Sequence, residues 1–422
     1  MVDRTVAPEF VQLKNADVPV LKKQLLDNGI PFYYFQSLQQ KVVKIELIFQ
    51  AGKWHEWVHG SSYFTAKMLK SGSQRYTSRQ INDYLDKYGA FTEFSSSQDD
   101  LTLEIYCLSR YLEEILLLIA DLLNNSIFPN MELLEIKEQD KSDLQVNLKR
   151  TAYLARVLFH KKLFGETHPY GRSNDLLVID QIREVSIVDF YDKKIRGNLF
   201  TIVASGDISD KTIKLVNSIF GNFTVNKEIY SHDVPKISTQ VGSFYEGVEQ
   251  SVQSSLVIGK IMPGRKHGDI HKIAVVNEIL GGYFGSRLMK TIREEKGYTY
   301  GIHSRLVHLK NYSYLAIMAD VIKEKREESI AAINIEINKL ITGGISFDEV
   351  NRVKNHMTGA FLSAINSPFT IASLFKILYA HELDYSYFND FLGAINTISE
   401  KEVIEIAENY FFVKSFTEVS AG

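Results

Sequence analysis

The sequence predicts an α+β protein of two tandem homologous domains, each a mixed β-sheet with helices packed on one face. Three observations carry that prediction. Strand-like and helix-like segments follow the same order in each half of the 422 residues. Within each half, strands precede long helical runs, which suits a layered α+β unit. The repeating unit is roughly 200 residues long, the scale of a duplicated domain and not of a solenoid. The boundaries fall at residues 1–225 for the first domain, 226–242 for a linker and 243–422 for the second domain. The linker is assigned to "NKEIYSHDVPKISTQVG", which is polar and weakly patterned.

In the first half, "LLDNGIPFYYF" places the turn residues Asp27, Asn28 and Gly29 between extended runs. In "KVVKIELIFQAG", Val43, Ile45, Leu47 and Phe49 alternate with other residues, the period of a strand. "SSYFTAKMLKSG" has helical spacing through Phe64, Met68 and Leu69. "TSRQINDYLDKYG" predicts a short helix with a capping box between Thr77 and Gln80 and a stop at Gly89. "FTEFSSSQDDLTLEIYCL" reads as strand and "YLEEILLLIADLLNN" as an amphipathic helix.

The second half repeats this order. "SSLVIGKIM" is a strand, and "HKIAVVNEILGG" and "SRLMKTIREEKG" are helices, the latter ending at Gly297. "YTYGIHSRLVHL" and "YSYLAIMAD" are strands. "KREESIAAINIEINKLITGG" is a long helix closed by Gly343 and Gly344. Ser346 and Glu349 form a capping box for the next helix, whose Val350, Val353, Met357 and Phe361 share a face; Ser399 and Glu402 cap another.

Composition narrows the function. Apolar residues make up 45% of the chain, enough for large cores, and the formal net charge is −3 with no block of like charge, which argues against nucleic acid as a partner. The single cysteine, Cys107, lies in an apolar run; it excludes an intrachain disulfide and a cysteine-based metal site. The first residues, "MVDRTVAPEFVQLKNADV", lack the basic start and apolar stretch of a signal peptide, and the apolar runs are too short and too charged to span a bilayer. A cytoplasmic location without membrane association is expected.

One string demands a test. "AGKWHEWVHG" contains His55-Glu56-Trp57-Val58-His59, the H-E-x-x-H pattern of zinc peptidases. That chemistry requires a helix, which sets both imidazoles on one face and the carboxylate beside a metal-bound water. Here a strand runs into Ala51-Gly52, and Gly60-Ser61-Ser62 follow directly. Neither flank favours a helix, and no third histidine follows at metzincin spacing. The expectation is a polar surface loop between strand and helix, with one or both tryptophans packed on the domain. A self-sufficient zinc protease using His55, Glu56 and His59 is the less favoured alternative.

The order "LLDNGI", strand, "AGKW", helix, "TSRQINDYLDKYGAFTEFSSS", "ETHPYGRS", "NLFTIVASGDIS", then "LGGYFGSRLMKTIREEKGYTYGIHS" and "GGISFDEVNRVKNHMTGAFLSAINSP" resembles the insulinase and mitochondrial-processing-peptidase family, the inverzincin zinc peptidases, from about Val18 to the C-terminus. The resemblance implies a duplicated metalloendopeptidase-like fold. It places the inverted H-x-x-E-H motif on Tyr63-Phe64-Thr65-Ala66-Lys67, with Tyr63 and Lys67 at the zinc-binding histidines and Ala66 at the catalytic glutamate. The distal carboxylate falls near Asp140 or Asp143, register open. On this alignment the chain has no catalytic residue of its own, no metal ligands and no cofactor.

The resemblance further implies that Arg293 and Tyr300, seven residues apart in "IREEKGYTY", hold the backbone of a peptide substrate. It also implies that "GAFTEFSSSQDDLTLEI" provides a sheet edge to which a peptide can add, with Glu93-Phe94 where the family has Asn-Ala. His168 in "HPYG" reads as a turn residue before proline. Bacterial members of the family pair a zinc-bearing subunit with one carrying the Arg/Tyr pair, and this chain resembles the latter. The expected partner is a zinc-bearing homologous subunit in a heterodimer, or a second copy in a homodimer, with a peptide as substrate. A catalytically inactive scaffold or binding protein of the same fold is the alternative.

Overall fold

A computed structural model of the protein describes residues 18–37, 40–226 and 234–422. The start of the chain read for a leader, residues 1–17, and linker residues 227–233 lie outside the described residues.

The first sheet is built from β1 (Lys22–Leu25), β2 (Pro31–Gln36), β3 (Val42–Phe49), β4 (Phe91–Ser96), β5 (Leu101–Leu108) and β6 (Thr201–Gly206), in the order β1-β2-β6-β3-β5-β4. The second contains β7 (Gly242–Glu246), β8 (Gln253–Met262), β9 (Thr299–His308), β10 (Ser313–Ile322) and β11 (Thr417–Ala421), in the order β7-β11-β8-β10-β9. β2 runs parallel to β6 as β7 does to β11, and the pairs that follow in each sheet are antiparallel. Apart from β1, the two sheets therefore correspond strand for strand, as expected of a duplicated α+β unit.

Local chemistry explains most element ends. Gly29 takes φ of 90° in the turn before β2, where the Leu26 amide donates to the Ile30 carbonyl at 2.9 Å. Helix Ser78–Lys87 opens with the expected reciprocal box between Thr77 and Gln80, and helix Glu400–Tyr410 with that between Ser399 and Glu402. The box expected at Ser346 is only half formed. The Ser346 hydroxyl accepts from the Glu349 amide, but both Glu349 oxygens are held at 2.8 Å by the Arg287 guanidinium. A bidentate charged pair outcompetes a hydrogen bond to one backbone amide.

Each half's own helices cover one face of its sheet. The opposite face is covered by one helix from the other half. Helix Pro368–His381 sets Ile371, Ala372 and Phe375 against Tyr33, Phe35 and Val203 of the first sheet. Helix Thr151–Phe164 sets Ala155 and Phe159 against Val257, Ala316 and Val419 of the second. This exchange explains why β3 and β6 are buried on both faces. The described end of the linker segment is docked on the same helix, with the Ser238 amide donating to the Phe164 carbonyl at 3.1 Å and the Gln240 amide to the Lys162 carbonyl at 2.8 Å. Among the described residues, no single helix is long and apolar enough to cross a membrane.

Candidate functional site

The H-E-x-x-H string does not form a helix. Lys53–His55 is a single 3₁₀ turn, and His59 precedes Gly60, which takes φ of 89° at the start of helix Ser61–Met68. Glu56 caps that helix: its two oxygens accept from the amides of Gly60 and Ser62 at 3.0 and 2.9 Å. A carboxylate here satisfies otherwise orphaned donors at a positive helix end. Burial pushes its pKa up, against those two bonds.

The string is a loop between strand and helix with both tryptophans packed on the domain, and Trp57 remains 44% exposed. Trp54 packs on Tyr170 at 4.8 Å between ring centres, and Trp57 on Phe190 at 5.4 Å while donating to Asp189. His55 and His59 are half-buried as a result, and burial, helped by Arg172, pushes His59 down to about 4.

Tyr63 and Lys67 stand four residues apart on helix Ser61–Met68, and Ala66 is buried in the core. The Lys67 ammonium pairs with the carboxylate of Asp140, on helix Asn130–Asn147, and lies 4.8 Å from the centre of the Tyr63 ring. The Tyr63 hydroxyl donates to the same carboxylate oxygen at 3.3 Å. Of the two carboxylates left open by sequence, Asp140 is therefore the one that meets the motif; Asp143 is exposed and accepts from Gln139.

These residues do not fit a divalent metal. Burial lowers the Lys67 pKa, but hydrogen bonds to Asp140 and Tyr63 outweigh it, so the group is held above the usual lysine value as an ammonium without a lone pair. Burial pushes the Tyr63 hydroxyl up, which keeps its proton. Metal binding needs deprotonated donors, and among the described residues the one carboxylate that meets Tyr63 is already paired with Lys67. Replacing Lys67 with methionine is expected to cost about 1–2 kcal/mol, because it leaves Asp140 short of a partner while the adjoining cavity still admits water. Urea denaturation measures it, and an unchanged midpoint would show that the pair contributes nothing.

The second cluster sits on the other half of the chain. Two π-helical stretches, Glu278–Gly282 and Met289–Glu295, lead into the edge strand β9. Gly297 takes φ of 64° and reverses the chain between them and the strand. Arg293, at the end of the second stretch, lies over the Phe284 ring at 4.9 Å. Glu294 and Glu295 are exposed. Tyr300 is 92% exposed near the start of β9, and Phe284 is 65% exposed. Neither aromatic is part of the core. Nothing in the spacing of Phe284 and Arg293 pointed to that contact.

β4, which carries Glu93 on its exposed side, is likewise an edge strand, paired with β5 alone. His168 is buried, and its Nδ1 accepts from the Tyr170 amide at 3.1 Å within the turn, as a residue before proline should. Sequence reasoning overlooked Lys53, Arg156 and Arg172, which line one cavity of about 490 Å³ with Tyr63 and Asp140. They are spread over three separate segments, and nothing in their spacing brings them together.

With this geometry in place, known proteins give a consistent picture. Residues 34–168 match the family model described as Insulinase (Peptidase family M16), and residues 184–357 match that of the Peptidase M16 inactive domain. A Helicobacter pylori protein named Non-peptidase homolog YmxG is 24% identical over 86% of this chain and 82% of its own length. A Bacillus subtilis protein named Uncharacterized zinc protease YmxG is 22% identical over 82% of this chain and 85% of its own. The crystal structure of a peptidase M16 inactive domain from Pseudomonas fluorescens superposes with a TM-score of 0.85 at 21% identity, covering 95% of this chain and 98% of that one. The paired sheets, the motif helix with its donors replaced and the two family models, which together span most of the sequence, place the chain in the insulinase family, peptidase family M16.

Proposed function

We propose that this chain is the substrate-binding subunit of a heterodimeric zinc endopeptidase, supplying Arg293 and Tyr300 to a peptide while a homologous zinc-bearing subunit supplies the bond-breaking chemistry. The observation that carries this reading is the 92% exposure of Tyr300 on an open sheet edge, seven residues after Arg293 in the chain. A guanidinium fork and a phenol are suited to donating to peptide carbonyls, and an unpaired edge can receive an extended peptide. The Lys67–Asp140 pair supports a division of labour, since it occupies the motif with a cation that belongs to the protein. A cytoplasmic setting goes with this reading: Cys107 is a free thiol that burial pushes up to about 12.

The test is co-expression with a candidate zinc-bearing sister. The complex is expected to cleave peptides, and Arg293→Ala combined with Tyr300→Phe is expected to lower kcat/KM by about 10–100-fold through lost positioning. Cleavage unaffected by the double change would overturn the assignment. A scaffold role is the second reading, favoured by the name of the Helicobacter pylori relative. It predicts a stable homodimer whose partners' turnover ignores both residues.

A further inference from the structure

The cavity beside the Lys67–Asp140 pair has an excess of positive charge that the protein does not neutralise. Lys53, Arg156, Arg172 and His160 line it together with Tyr63, Asp140 and Asp143. Its volume, about 490 Å³, is within the range of small-ligand sites. Among the described residues, none of the three cations enters an ion pair.

The carboxylates nearby are committed elsewhere. Asp140 is neutralised by Lys67, and both oxygens of Glu56 are taken by the amides of Gly60 and Ser62. Asp143, the exposed carboxylate of the lining, accepts from Gln139, which leaves three cations facing one carboxylate without an ion pair among the described residues. The Arg172 guanidinium donates to the Lys53 carbonyl at 3.4 Å through one terminal nitrogen, and its buried Nε has no partner among the described residues.

The positive field registers on neighbouring groups. Burial, then Arg156 and Lys53, push His160 down to about 4. Burial also lowers Lys53, with Arg172 and Arg156 adding to the effect and Glu56 opposing it. His160 is therefore neutral near pH 7, with its Nε2 3.2 Å from the Tyr314 hydroxyl of the second sheet.

Local structure holds the cations in place. Arg156 and His160 are four apart on helix Thr151–Phe164 and share a face. Arg172 follows Gly171, where a side chain would meet the Gly165 carbonyl oxygen at 2.0 Å, so the loop closes tightly only with glycine. Lys53 and Arg172 are partly buried, and such cations without counterions are costly unless an anion completes them; two guanidinium groups match the planar geometry of a carboxylate or the oxygens of a phosphate.

We propose that this cavity is an anion-binding site in which Lys53, Arg156 and Arg172 receive a carboxylate or phosphate group. The site is independent of the Arg293–Tyr300 assignment, because it needs neither a partner subunit nor cleavage.

Calorimetric titration of the full chain at low salt tests it with three probes: inorganic phosphate, trialanine with a free carboxylate, and trialanine amide. Phosphate or the free-acid peptide is expected to bind one to one, and the amide is not; which of the two binds identifies the source of the anion. Lys53→Met with Arg156→Gln should weaken that binding at least about tenfold, and added salt should weaken it further. Arg156 is exposed on its helix, so Arg156→Gln alone serves as a variant that keeps the fold and should itself weaken binding. No heat with either anion, equal binding of acid and amide, or unchanged affinity in Arg156→Gln would overturn the proposal.

Discussion

Replacing Glu46 with alanine is expected to destabilise the protein by about 3–5 kcal/mol, the cost of breaking a buried ion pair from one side. Glu46 is 1% exposed on β3. Its carboxylate meets the ammonium of Lys376, on helix Pro368–His381, and lies 3.3 Å from that of Lys44, which is itself 2.9 Å from Glu104. The network therefore links a strand of the first half to a helix of the second. Burial opposes the charge on Lys44, but Glu104 and Glu46 outweigh it and raise its pKa above 10.5. A lysine raised on folding adds stability that is complete below its unfolded value and fades as pH climbs through the folded one. The wild type should therefore lose this contribution only in strongly alkaline solution. Guanidinium denaturation reads the effect of Glu46→Ala. The double change Glu46→Met with Lys376→Met should recover much of it, since apolar groups of similar size can replace a buried pair. A loss below about 1 kcal/mol in Glu46→Ala would mean that water already screens the network.

The duplicated architecture was legible because alternation and capping are local. β3, β8 and the Thr77 and Ser399 caps follow from residues within a few positions of each other. What escaped was non-local. Glu349 has the right spacing for a capping box, yet Arg287, 62 positions away, takes its carboxylate. The choice between Asp140 and Asp143 depended on which faced Lys67 across two helices, and a one-turn ambiguity in register cannot be settled by counting residues. The cation-lined cavity joins Lys53, Arg156 and Arg172 through folding alone. The helix exchange was equally hidden: amphipathic spacing says that a helix face is buried, but not which sheet buries it.

That exchange leads to the second large effect. Phe159→Ala should cost about 3–5 kcal/mol and should also uncouple the two halves. Phe159 is 1% exposed and belongs by sequence to the first half, yet its ring packs on the second sheet. A Cβ placed on Gly259 would stand 2.7 Å from the end of that ring, so the glycine is the floor on which the phenyl rests. Beneath it lies main chain, since the same Cβ would stand 2.0 Å from the Leu315 carbonyl oxygen, and a void bounded by a hydrogen-bonded ladder cannot easily collapse. On the reciprocal side, Phe375 packs on Tyr33 with ring centres 4.5 Å apart. With both contacts intact, neither half can open without exposing a face of the other's sheet, and calorimetry should show one cooperative transition. Removing Phe159 weakens the coupling more than it weakens either separate core, so the transition should split in two. Leu340→Ala is the control. Leu340 is fully buried in the second half's own core, away from the exchanged helices. It should lower the melting temperature while keeping a single transition, because the halves remain tied. Two transitions already present in the wild type, or a single one in Phe159→Ala, would show that the exchanged helices do not set the cooperativity of this fold.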